Sequence, residues 1–101
     1  MNEEDRAKKK AWKLQRRKAA QDSFPLPEAA LQDLFDTLDL QLGAMQCDQT
    51  NHFTLSWIAA NGYSERDVVS WTQENGGYCD CEVLANTGDH FEQNRRNPGN
   101  G

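Results

Sequence analysis

The chain has 101 residues, 37% of them hydrophobic and 27% charged, with a formal net charge of −5. That length accommodates one small domain with a modest core. No run approaches the ~18 consecutive apolar residues of a membrane-spanning helix, and the stretch after Met1 is charged, so neither a spanning helix nor a secretory signal core is expected.

The charge is unevenly spread. Residues 1–18 hold eight basic and three acidic side chains, a net of +5; residues 19–101 hold three basic and thirteen acidic ones, a net of −10. A basic leader on an acidic body is open to two readings: an arm that contacts nucleic acid, or one that lies on its own domain. The acidic body argues against nucleic acid as the partner of the whole chain. With no secretory signal, the expected location is the cytoplasm, where three thiols are read as free or metal-bound rather than as a disulfide framework.

In chain order, residues 1–22 read as a basic helical leader. Good helix formers fill 3–21, with Glu3, Glu4 and Asp5 at the positive end of the helix dipole. Its apolar stripe of Ala7, Ala11 and Leu14 is narrow, so it either docks weakly or stays solvated. Residues 23–91 read as a small helical domain. Pro25 and Pro27 end the leader, and Leu31, Leu34, Phe35, Leu38 and Leu42 recur at helical spacing, predicting a helix near 27–42 that ends at Gly43. Asp48 or Thr50 caps a helix running to about Asn61, with Gly62 as its left-handed stop and Phe53, Trp57 and Ala60 inward. Ser64 with Asp67 predicts the best-capped helix, with Val68 and Trp71 inward and Gly76 as its end. After Gly77, "CEVLAN" predicts a short extended segment and "NTGD" a turn. Residues 92–101 read as a disordered polar tail. The expected architecture is mostly α: a basic helix, a compact three-helix core and a short C-terminal extended segment. Its core is Leu31, Leu34, Phe35, Leu38, Phe53, Trp57, Val68, Trp71 and Val83 with Leu84.

The candidate chemistry lies in the thiols. Cys79 and Cys81 flank Asp80, and Cys47 stands thirty-two residues earlier, at the start of a helix. Three thiolates and one imidazole make a zinc set, with His52 as fourth ligand or His90 in its place. Cys47 and His52 on one helix would point about 140° apart, so Cys47 has to precede the helix. Two other readings of the same residues stand beside this one. Free cysteines pack as small buried hydrophobes. A redox or nucleophilic pair at Cys79/Cys81 would need a base held by a third group, and Asp80 and Glu82 raise thiol pKa values rather than lower them. For Asp80 itself, the plain role is to accept backbone N–H groups within a turn.

The stretches "LFDTLDLQL", "CDQTNHFTLSWI" and "GGYCDCEVL" carry a resemblance. The chain resembles the small bacterial proteins of domain of unknown function 2695, with the likeness extending over most of residues 6–87. What the resemblance implies is a His two residues after the first cysteine, where this chain has Gln49, leaving His52 as a substitute. It implies no activity. The functional expectation is therefore a small bacterial, non-enzymatic interaction or regulatory module with a Cys-rich zinc site and a protein partner. The alternatives are a thiol redox protein or enzyme using Cys79/Cys81, and nucleic-acid contact through the leader.

Overall fold

The computed structural model describes residues 3–95 of the chain, with side chains over 11–95. These residues are mostly helical, and no strand occurs among them. Helix α1 spans Glu3–Asp22, α2 Glu28–Ala44, α3 His52–Asn61 and α4 Glu65–Glu74. One winding stretch follows: α5 over Asp80–Glu82, a π-helical turn over Val83–Thr87, and α6 over Gly88–Asn94.

Helix α2 supplies one wall of the core. Leu31, Leu34, Phe35 and Leu38 are all buried, as their spacing predicts, and each full burial contributes roughly 1.5–3 kcal/mol. The helix does not stop at Gly43: it continues through Ala44, with Met45 extended after it. Gly43 has open space around it and nothing forces a left-handed turn there. Helix α3 ends as expected at Gly62, φ +71°, but its buried face is Thr54, Trp57 and Ile58, while Ala60 is exposed and Phe53 half-buried. The face is turned by about one position because the buried Thr54 hydroxyl has a polar partner, described below. Trp57 tethers α3 to α2 by donating its indole N–H to Asp33 at 2.9 Å. Ser64 caps α4 by accepting the Asp67 N–H at 3.3 Å, and Val68 and Trp71 face inward.

The expected extended segment after Gly77 is helical instead. Val83 N–H donates to Cys79 O at 2.8 Å, four residues back. The Gly88 N–H then reaches Val83 O, five residues back, which makes the wide π turn. The polar residues that read as a turn are cross-links: Thr87 Oγ1 donates to Thr72 O at 3.1 Å and Asn86 Nδ2 to Gly76 O at 3.0 Å. Gly76 is left-handed, φ +83°, and Gly77 lies so close that an added Cβ would meet Thr87 Oγ1 at 2.6 Å and Val83 Cγ2 at 2.9 Å. The π turn thus docks on the end of α4 at a point where only glycine fits.

Helix α6 takes in Glu92–Asn94, read from sequence as tail, and Arg95 follows it in extended conformation; residues 96–101 lie outside the described residues. Phe91, missing from the expected core, is fully buried. It meets Phe24 and Phe35 at ring-centroid distances of 5.5 and 5.3 Å. The end of α1 touches α6, where Gln21 Nε2 donates to Asn94 O at 2.8 Å. Residues 11–19 of α1 are exposed.

Candidate metal centre

Asp80 organises the thiol corner. Its carboxylate is 1% exposed and accepts the N–H groups of Phe53 and Thr54, each at 3.0 Å, and the Thr54 hydroxyl at 2.7 Å. It therefore caps the N-terminus of α3 from 26 and 27 residues away in sequence. Its own N–H donates to Thr50 O at 2.9 Å. This two-way clasp lays the Cys79–Cys81 segment beside the Cys47–Thr50 loop. Because the central residue of Cys-Asp-Cys turns into α3, the two flanking thiols are carried to the same side.

The consequence is a three-thiol cluster. The sulfurs of Cys47, Cys79 and Cys81 all lie within 4.8 Å of one another, and Cys79 and Cys81 approach to 3.3 Å. Cys79 is buried, Cys47 half-buried and Cys81 exposed. The loop before α3 curls around Cys47: Asp48 accepts the Thr50 N–H and hydroxyl at 3.1 and 2.6 Å, and Gln49 takes the left-handed conformation, φ +71°. The backbone N–H of Cys81 and then that of Gln49 aim at the Cys47 sulfur and hold its pKa below the ordinary value, and the neighbouring thiols add to this. The Cys81 thiol is pushed up to about 12, first by its hydrogen bond to Cys79 and then by that to Cys47. Three sulfurs this close cannot all carry charge without a cation between them.

That donor set fits a soft or borderline divalent ion. Tetrahedral zinc with Zn–S of 2.3 Å separates its sulfurs by about 3.8 Å, so the closest pair needs to spread only slightly. The N–H groups on Cys47 are the kind of outer-shell donor that steadies a metal thiolate.

Neither histidine lies with the sulfurs. His52, the first residue of α3, points its Nε2 to the Asp48 carboxylate at 3.6 Å and lies against Phe53, ring centroids 4.0 Å apart. His90 packs edge-on against Phe24 and Trp71, which also touch each other, with centroids 6.4 and 6.1 Å from the imidazole. Burial lowers its pKa. Sequence reasoning assembled the three cysteines but reached neither the Asp80 clasp nor the left-handed Gln49. The available signal for the clasp was a lone acid between two cysteines.

A family model described as a protein of unknown function, DUF2695, matches residues 34–86. The chain belongs to this DUF2695 family. Its relatives include uncharacterized proteins of Mycobacterium bovis and Mycobacterium tuberculosis, each 32% identical over 76 residues that cover 75% of this chain and 77% of the relative. No solved structure matches the chain. The DUF2695 segment contains the three cysteines, the Asp80 clasp and all of α3 and α4, while α1 lies outside it. No helix among the described residues is long and apolar enough to cross a membrane.

Proposed function

We propose that this chain is a small zinc-binding interaction module of the bacterial cytoplasm, holding the ion on Cys47, Cys79 and Cys81 and acting through a protein partner rather than as a catalyst. The observation that carries the reading is the convergence of three sulfurs from two distant segments within 4.8 Å, locked by the buried Asp80 clasp. His52 is the fourth ligand in this reading. It sits at the start of α3, immediately after the loop that presents Cys47, and its side chain is 47% exposed, so the ring can leave Asp48 and turn. The packing of His90 against two aromatic rings supports a structural role for that residue. The zinc ion would supply positive charge that holds three thiolates together and joins the two segments.

Elemental analysis of freshly purified protein tests this. About one zinc per chain is expected, lost in Cys79→Ser and in Cys81→Ser and weakened in His52→Ala. A chain free of zinc that also gives no cobalt–thiolate absorption on titration overturns it. The 3.3 Å approach of Cys79 and Cys81 favours a second reading, a reversible disulfide between them. The raised pKa of Cys81 counts against its serving as the attacking thiolate. A thiol titration in which no cysteine reacts faster than an ordinary buried thiol removes that reading.

A further inference from the structure

Helix α6 has two unlike flanks. His90, Gln93 and Asn94 border the cleft against α1, which is lined on the other side by Trp12, Lys13 and Arg16. On the opposite flank, α6 and the π turn form an open groove of about 350 Å³ with α2. Phe35 and Leu84 lie at its floor, and Asp36, Asp39, Asp89 and Glu92 line it with four exposed carboxylates. Among the described residues, the cation paired with this rim is Arg95, 3.1 Å from Glu92. Among the described residues, Asp36 accepts from the neutral amide of Gln32 and Asp89 from that of Gln93.

The chemistry that would fill such a groove is present in the same chain. Residues 1–18 carry eight basic against three acidic side chains. On α1, Trp12 and Leu14 are 56% and 65% exposed, beside exposed Lys13, Arg16, Arg17 and Lys18. A helix with basic and large apolar groups in water complements a groove with an apolar floor and an acidic rim. The two cannot meet within one molecule. The C-terminal half of α1 is held on the other flank of α6 by the Gln21–Asn94 hydrogen bond, and a continuous helix does not fold back across its own anchor.

We propose that the acidic groove receives α1 of a second copy of this chain, each copy engaging the other, so that the protein forms a reciprocal two-fold dimer. Two identical helix-in-groove contacts close the assembly and leave no free groove to propagate a chain of molecules. The attraction is electrostatic at the rim and is screened by salt, since the Debye length falls from about 10 Å at 0.1 M to about 3 Å at 1 M. The inference does not depend on a metal at the cysteines.

Sedimentation equilibrium of the full-length chain tests it. A dimer at low ionic strength is expected, with a dissociation constant that rises at least about tenfold on going to 1 M salt. Two variants reverse the two halves of the contact separately: Asp36→Lys with Asp89→Lys in the groove, and Arg16→Glu with Arg17→Glu on the helix. All four positions are exposed, and an unchanged far-ultraviolet circular dichroism spectrum checks that each variant is folded. Each variant alone should be monomeric. An equimolar mixture should recover the dimer, because both contacts of the mixed pair are again of opposite charge. A wild-type chain that stays monomeric at all concentrations overturns the proposal. So does a dimer indifferent to salt and to both variants, or a mixture that stays monomeric. A monomer that binds DNA or RNA through Arg16 and Arg17 with steep salt dependence would also overturn it, assigning the leader to nucleic acid instead.

Discussion

The thiol corner and the leader helix are held by different physics. At the corner, two segments far apart in sequence are joined by a buried carboxylate that satisfies two helix N–H groups and a hydroxyl, while its own N–H closes the loop from the other side. At the leader, the Gln21–Asn94 hydrogen bond joins the last turn of a 20-residue helix to α6, and residues 11–19 are exposed. A helix owes most of its stability to a packed apolar face rather than to propensity. The corner is therefore built to hold its geometry, and the leader is built to present its surface.

Substitutions should separate the two regions sharply. Asp80→Ala removes the acceptor for three donors at once and is expected to cost about 3 kcal/mol or more in chemical denaturation, each orphaned buried group contributing about 1–3 kcal/mol. Asp80→Asn keeps one acceptor oxygen and should cost less. An Asp80→Ala protein of unchanged midpoint would mean that the clasp does not hold the corner. Gly77→Ala drives a methyl group against Thr87 and Val83, for an expected loss of about 1–3 kcal/mol. Ser64→Ala, which deletes the α4 cap, should cost about 1 kcal/mol. At the weak end of the comparison, Trp12→Ala in the exposed leader should stay within about 0.5 kcal/mol of wild type. A large loss there would show that the leader packs on the domain as firmly as the corner does.

The pH dependence follows from His90. Burial holds its folded pKa below the ordinary 6.5, so the unfolded chain takes up a proton first as the solution is acidified. Its contribution to stability is complete above about pH 6.5 and is lost as pH falls from there through the lower folded value. Denaturation midpoints measured across this range should decline in acid for wild type and less so for His90→Phe. An identical slope in both proteins would remove His90 as the cause.

Much of the helical frame was legible because its signals are local. The Leu31–Leu34–Phe35–Leu38 stripe, the Ser64 cap and the Gly62 stop each need only a few neighbouring residues to be read. The C-terminal stretch was misread for the opposite reason. Val83 and Leu84 followed by Asn-Thr-Gly-Asp look locally like a short strand and a turn. They wind into a helix because Thr87 and Asn86 find acceptors 15 and 10 residues back in the chain. Buried Thr54, Thr72 and Thr87 were invisible to a hydrophobic pattern, and Phe91 was hidden among polar neighbours. At the candidate site the three cysteines could be assembled from composition, but what brings them together is a carboxylate contact across 26 residues, which no local window contains.

The amide protons of Phe53 and Thr54 end on the Asp80 oxygens rather than on a preceding carbonyl. Their exchange with solvent is thus a clock for the opposite half of the clasp: it runs only when the Cys79–Cys81 segment lifts away from α3. Two resonances in a hydrogen-exchange spectrum would then follow the state of the thiols without any probe being attached to a sulfur.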